Sequence, residues 1–175
     1  MIKLEKTNTY GWESAIRGMR NPMNSWDKSD SVFTGLPING FLIGNNDLKL
    51  MKNLSKAGND HAKYLRMINV AVDITAPLYW WKEFDTYKVG TVANSCSTMH
   101  KIHAKEFELS DFSTEHLFNG SKDELRLLIG MLNVYRYNYI EFDNVKTHPC
   151  YVTKKDYWWQ MIQLLPSSYY LKRTV

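Results

Sequence analysis

The sequence predicts a protein that combines a β-sheet with long α-helices, and three stretches indicate this. Residues 69–74 (NVAVDI) roughly alternate in polarity and are rich in valine and isoleucine, as is typical of a strand with one buried face. A helix follows directly, because Thr75 can cap free N–H groups and the Ala-Pro pair at 76–77 fits a first helical turn. Residues 121–124 (SKDE) form a capping box that opens a second helix, which extends to about residue 139.

Shorter elements are predicted on both sides of this centre. They are a strand at residues 2–4 and helices at residues 11–19, 46–57 and 157–165. Residues 60–67 are interpreted as either a short helix or the lead-in to the central strand, and residues 146–151 as a turn. Because the chain has 175 residues and shows no internal repeat and no linker, we expect a single domain covering residues 1–175.

Residues 20–39 form a loop by composition, since Asn-Pro, Asn-Ser, Ser-Asp, Gly and Pro interrupt any regular pattern. Arg20 and Ser25 lie within the loop, and Arg17 lies just before it. One interpretation is a solvated connector. The other is a loop that folds over a ligand, because binding groups often lie on long loops held by a rigid scaffold.

Composition narrows the class of protein. No apolar run approaches the roughly 20 residues that span a bilayer, and no N-terminal signal peptide is visible, so we expect no membrane partner. The two cysteines form neither a metal nor a disulfide pattern, which predicts a cytoplasmic protein. The net charge of +4 fits a binder of anionic small molecules, but is too weak and scattered to predict a nucleic-acid partner.

The best candidate site is the segment after the central helix, where the composition becomes small and polar. Hydroxyl and amide groups there can hydrogen-bond sugar or base edges, and a lysine can face a phosphate. Lys82 lies six residues before Lys88, nearly two helical turns away, and Arg66 lies just before the strand. The alternative is a polar subunit interface without a ligand. The candidate nucleotide- or cofactor-binding residues are Arg66, Lys82, Tyr87, Lys88, Thr91, Asn94, Ser97 and His100.

The histidines and cysteines offer two other kinds of site. His100 and His103, with His61 elsewhere, resemble zinc ligands only loosely, since no convincing remaining ligand exists, and we expect no metal. Cys96 as a nucleophile with His100 as its base would need the stretch between them to be helical. No residue is assigned a catalytic role. No GxGxxG or Walker loop is present, which disfavours a dinucleotide-binding or kinase-type fold.

The central segment resembles the signature region of the flavin-dependent thymidylate synthases, the ThyX family. There a histidine opens a strand, Ala-Pro begins a helix, and the helix runs into the pattern RHRxxSxNxxSxRY; here His61 and residues 76–77 match the first two features. The RHR triplet falls on residues 86–88, and a later Leu-Pro at 165–166 resembles the family's ARxxLP segment. The remaining pattern positions, with one inserted residue, fall on Thr91, Asn94, Ser97, Met99 and His100.

The positions of the family's motif arginines depart from this pattern. Arginine suits phosphate and flavin contacts because its planar fork meets two oxygens at once and keeps its charge. Here those positions are Thr86, Lys88, Met99 and Ile162, so only Lys88 keeps a positive charge. The resemblance therefore implies an inherited scaffold whose methyl-transfer chemistry is in doubt.

The resemblance implies an α+β fold with a mixed or antiparallel sheet and long helices, and a homotetramer whose sites lie between subunits. We keep three hypotheses. The first is a nucleotide-binding protein without methyl transfer that captures a nucleotide or nucleotide-derived signal, as a short phage-type accessory protein would. The second is an active synthase converting dUMP to dTMP with FAD, NADPH and methylenetetrahydrofolate. The third is a non-enzymatic interaction protein, suggested by the 14% aromatic content.

Overall fold

The structure, a computed structural model, describes residues 1–34, 40–144 and 148–175. The chain forms two compact units: Met1–Lys6 with Val72–Val175, and Thr7–Ala71. Part of the predicted loop at 20–39 and part of the predicted turn at 146–151 therefore lie outside the described residues. None of the described helices is both long enough and apolar enough to cross a membrane.

A four-stranded sheet has the strand order β1-β4-β6-β5. Strand β4 pairs antiparallel with β6, from Asp73 opposite Thr174 to Pro77 opposite Tyr170, and β5 pairs antiparallel with the other edge of β6. The predicted α+β fold is confirmed, and its described strand pairs are antiparallel. The strands are β1 (Lys3–Tyr10), β4 (Asn69–Pro77), β5 (Asn94–Ser95) and β6 (Tyr170–Thr174).

The described residues of the unit Met1–Lys6 with Val72–Val175 include the α-helices α3 (Leu78–Phe84), α4 (Asn119–Ile140) and α5 (Lys154–Leu164), and a short 3₁₀ helix at Leu109–Asp111. Helices α4 and α5 share an apolar core in which Leu132 and Met161 are fully buried. On α4 the apolar residues that enter this core recur at three- and four-residue intervals, which places them on one face of the helix. Helix α3 packs on the sheet through Trp81, beside Ile74 and Leu171.

The unit Thr7–Ala71 has its own core. Helix α1 (Trp12–Arg20) and helix α2 (Asn45–Lys56) enclose it together with the 3₁₀ helix Ala62–Met67. Short 3₁₀ helices at Asn21–Met23 and Trp26–Lys28 follow α1, and β2 (Val32–Phe33) pairs antiparallel with β3 (Phe41–Leu42). The buried hydrophobic residues of this core are Ala15, Ile16, Met19, Met51 and Tyr64.

The described part of the segment after α1 is anchored to α2 by hydrogen bonds to Asp47. Arg20 is 4% exposed, and its Nε donates to Oδ1 of the fully buried Asp47 at 2.6 Å. The same guanidinium donates to the carbonyl oxygens of Ser25 and Lys28. Arg20 therefore fixes the described part of the loop to α2 through one hydrogen bond from each of its three side-chain nitrogens.

Two predicted helix starts are wrong. Thr75 does not cap α3, because it lies in β4 opposite Lys172 and the strand continues to Pro77. The carbonyl oxygens of Ser167 and Tyr169 accept the first amide N–H groups of α3 instead. Ser121 likewise lies inside α4, which begins at Asn119 without a side-chain cap.

The other predicted helices are present with small shifts in their bounds. Residues 60–67 contain the 3₁₀ helix Ala62–Met67, which agrees with the first of the two interpretations of this segment. The strand predicted at 2–4 is longer, since β1 extends to Tyr10. A true capping box opens α5, where Thr153 and Asp156 bond each other's backbone. Strand β6 was not predicted at all, although it lies inside the sheet.

Candidate functional site

The predicted polar segment lines a cavity of about 390 Å³ where α3 ends beside β6. Three candidate residues meet there: Tyr87, Lys88 and Thr91. We call this space the Lys88 cavity. Its remaining lining residues are Phe84, Asp85, Ala93 and Arg173.

The turn after α3 places the lysine. Helix α3 ends at Phe84, and just beyond it Thr86 Oγ1 donates to the Glu83 carbonyl oxygen at 2.7 Å. Tyr87 is 73% exposed, and Lys88 is also exposed, with no salt bridge to any residue that the structure describes. Gly90 then has φ +70°, a left-handed conformation that glycine adopts without strain, and the chain returns towards β5. Lys88 is therefore available to an anionic ligand.

Arg173 is the residue that sequence reasoning missed. It lies on β6, and its Nη1 donates to Asp85 Oδ1 at 2.6 Å. Its guanidinium lies 4.3 Å from the centre of the Trp81 ring, which fixes the side chain by a cation–π contact. Its Nε is buried and has no hydrogen-bond partner among the described residues. The cavity thus contains a fixed arginine fork, although the family's motif positions supply none.

Five of the eight candidate residues do not line this cavity. Lys82 is exposed on α3, and Asn94 is exposed on β5 opposite Thr174. Ser97 Oγ accepts the backbone N–H of His100 at 3.0 Å, so this serine stabilises a turn. Arg66 is exposed in the unit Thr7–Ala71, on the 3₁₀ helix Ala62–Met67.

His100 lines a second cavity, of about 420 Å³. This cavity lies where the segment after β5 meets the end of α4 and the beginning of α5. We call it the Trp158 cavity. Its lining residues are Met99, His100, Tyr139, Lys154, Lys155 and Trp158.

The two other kinds of site find no support in the geometry. Residues 94–95 form a strand, and the backbone N–H of Cys96 donates to the Lys172 carbonyl oxygen at 3.1 Å. The helical turn that a Cys96–His100 pair would need is therefore not formed. Among the described residues, no three His, Cys, Asp or Glu side chains are grouped so that they could hold a metal ion.

The residues at the positions of the family's motif arginines do not fit a flavin cofactor. Ile162 packs against the apolar core of α4 and α5, where it cannot meet a phosphate. The Thr86 hydroxyl is used within the helix end, and Met99 offers only a thioether. Lys88 alone of these positions presents a cation.

This architecture is similar to that of several solved structures. The crystal structure of Thymidylate Synthase X (ThyX) from Helicobacter pylori with FAD and dUMP is similar at a TM-score of 0.66 and 13% identity, covering 99% of this chain and 76% of that chain. The chain shares the ThyX fold. A second Helicobacter pylori ThyX structure, complexed with FAD and dUMP, gives a TM-score of 0.58 at 14% identity, with 98% and 76% covered.

A further structure extends the comparison beyond ThyX. The UMP/dUMP methylase PolB from Streptomyces cacaoi, bound with 5-Br dUMP, gives a TM-score of 0.52 at 11% identity, covering 99% of this chain and 70% of that chain. No protein-family model matches the sequence, and no curated protein sequence matches it. The ThyX-like scaffold expected from the residues is confirmed at the level of the fold.

Proposed function

We propose that this protein binds a phosphate-bearing nucleotide in the Lys88 cavity and does not transfer a methyl group. The observation that carries the proposal is that this one cavity collects Lys88, Arg173, Tyr87 and Thr91. Two cations, a hydroxyl and an aromatic ring are the groups that phosphate, sugar and base recognition requires. The shared fold supports it, because the similar ThyX and PolB structures were solved with dUMP or 5-Br dUMP.

Each residue has a distinct role in this proposal. Lys88 faces the phosphate as a mobile point charge, and Arg173 supplies the planar fork that the motif positions lack. Thr91 hydrogen-bonds the sugar, and Tyr87 stacks on the base. Asp85 balances the charge of Arg173 and keeps an empty cavity from carrying two uncompensated cations.

Subunit association belongs to the same proposal. We place the nucleotide near a contact between subunits of a homotetramer, where Lys82, Asn94, Ser97, His100 and Arg66 would be available for additional contacts. An exposed apolar stripe on α4 supports association, because Leu127, Met131 and Val134 are 67%, 48% and 57% exposed at helical spacing. A cytoplasmic, phage-type accessory protein that captures a nucleotide or a nucleotide-derived signal fits this set of features.

An active flavin-dependent thymidylate synthase is the alternative, favoured by the shared fold and by the Helicobacter pylori structures with FAD. The absence of the motif arginines argues against an active synthase, because each charged hydrogen bond removed lowers the binding free energy by about 1.5–3 kcal/mol. An absorbance spectrum of the purified protein separates the two: near-stoichiometric flavin supports the synthase, and its absence together with a released nucleotide supports the binder. A protein that binds neither would favour the interaction hypothesis.

The direct test is calorimetric titration of the full chain with dUMP. Lys88→Ala should weaken binding about tenfold without changing the circular dichroism spectrum, because one exposed charged contact to phosphate is lost. Arg173→Lys keeps the charge but removes the fork, and should also weaken binding. Lys52→Ala, an exposed lysine of α2, is the matched control and should bind as the wild type does. Unchanged affinity in Lys88→Ala would refute the assigned site.

A further inference from the structure

The Trp158 cavity is lined by two lysines that the proposed nucleotide site does not use. Lys154 and Lys155 line it from the first turn of α5, and His100 lines it from the opposite side. Arg136 lies nearby on α4 and donates from Nε to the His103 carbonyl oxygen at 2.9 Å. The cavity is therefore lined by two cationic side chains of α5, and the Arg136 guanidinium lies nearby on α4.

The positive charge around the cavity also acts on His103. Burial lowers the pKa of His103, and the charges of Lys101, Arg136 and Lys154 lower it further. Asp143 is the acid that pairs with Lys154, at 2.8 Å, but it is 77% exposed and screened by solvent. Lys155 has no salt bridge with any residue that the structure describes. An anion entering the cavity would thus meet cations that are not fully neutralised.

Two aromatic rings form the walls of the cavity and are held in place. Trp158 Nε1 donates to the Met99 carbonyl oxygen at 2.9 Å, which fixes the indole. The Tyr139 ring lies 4.7 Å from the ring centre of His103, and Lys154 Nζ lies 5.6 Å from the centre of the Tyr139 ring. Because these rings are already fixed, their side chains lose little conformational entropy when a ligand binds. They favour a flat, aromatic group beside the cations.

We infer that the Trp158 cavity binds a small aromatic phosphate, as a second anion site beyond the nucleotide site proposed above. The phosphate contacts Lys155 and Lys154, and the aromatic group lies against Trp158 and Tyr139. A volume of about 420 Å³ is within the range of small-molecule sites in proteins. Convergence of cations with preformed aromatic walls is the combination that recognises this ligand class.

Phenyl phosphate is the probe that tests this inference. In an NMR titration of the full chain we expect the indole N–H signal of Trp158, assigned with Trp158→Phe, to shift and to saturate below about 10 mM. Inorganic phosphate and phenol should each bind more weakly than phenyl phosphate, because each lacks half of the recognised group. Absence of saturation, or equal binding of inorganic phosphate, would overturn the inference.

Charge variants locate the probe. Lys155→Gln should weaken phenyl phosphate binding about tenfold, and Lys154→Gln should also weaken it. Lys52→Gln, at an exposed lysine of α2 that lines neither cavity, is the control and should leave phenyl phosphate binding unchanged. Unchanged binding in both α5 variants, or equal loss in Lys52→Gln, would show that the probe lies elsewhere. Because dUMP binding is tested through Lys88 and phenyl phosphate binding through Lys155, failure of one proposal is distinguishable from failure of the other.

Discussion

Removing the carboxylate of Asp47 should strongly destabilise the protein. The side chain is fully buried and accepts five hydrogen bonds, all within the unit Thr7–Ala71. The donors are Arg20 Nε, the hydroxyls of Ser29 and Ser31, and the backbone N–H groups of Asp30 and Ser31. Asp47→Ala leaves the Arg20 guanidinium buried without its counter-charge, which costs about 3–5 kcal/mol.

The assay is urea unfolding followed by circular dichroism, with Asp27→Ala as the control. Asp27 is exposed on a 3₁₀ helix of the same unit, so its substitution should change the free energy of unfolding by less than about 0.5 kcal/mol. The double variant Arg20→Ala/Asp47→Ala should lose less unfolding free energy than the two single variants lose in sum, because the two side chains act as a pair. A loss below about 1 kcal/mol in Asp47→Ala would refute the reasoning.

The same carboxylate predicts a pH dependence. Burial alone would raise the pKa of Asp47, but hydrogen bonds from Ser31, Ser29 and Arg20 outweigh burial and lower the pKa below its ordinary value. A lowered pKa in the folded state contributes stability above the unfolded value of about 3.9, and this is lost as the pH falls through the folded pKa. The difference in unfolding free energy between wild type and Asp47→Ala should therefore narrow below about pH 4. A constant difference down to pH 2 would contradict the assigned cause.

Two further predictions concern the unit that contains both cavities. Trp81→Phe should lower the free energy of unfolding by about 2–3 kcal/mol, measured in urea. The substitution removes the hydrogen bond from Nε1 to the Leu171 carbonyl oxygen and leaves a space at a site that is 1% exposed. A decrease of less than about 0.5 kcal/mol would contradict this prediction. An NMR titration of His103 should give a pKa below about 6.5, because burial and neighbouring cations favour the neutral ring, so its contribution to stability is lost as the pH falls. A midpoint above about 6.5 would show that these cations do not act on the ring.

Local patterns predicted much of the fold, because several elements are specified by their own residues. The strand around residues 69–74 alternates in polarity, and Pro77 directly precedes α3, so both elements were found from sequence. The segment after α3 was identified as polar and small, and it does line a cavity. The assignment of Thr75 failed because pairing with β6, a long-range contact, extends the strand past the local helix signal.

The cavity itself could not be predicted in full, because its arginine comes from the far end of the chain. Arg173 reaches it only because β6 pairs with β4, with Ile74 opposite Arg173. A five-residue strand with two cations has little intrinsic strand signal, and it is formed by pairing with neighbours on both sides. His100 lines the Trp158 cavity and not the Lys88 cavity, and its backbone N–H donates to Ser97 Oγ in the turn between them.

The most direct test of nucleotide binding in the Lys88 cavity is a crystal structure of the protein with 5-bromo-dUMP. The anomalous signal of bromine locates the base without ambiguity. We predict a bromine peak in the Lys88 cavity, with the phosphate within hydrogen-bond distance of Lys88 Nζ. A bromine peak at any other place would contradict the proposed site. So would the absence of a bromine peak in a well-diffracting crystal prepared at a saturating concentration of the ligand.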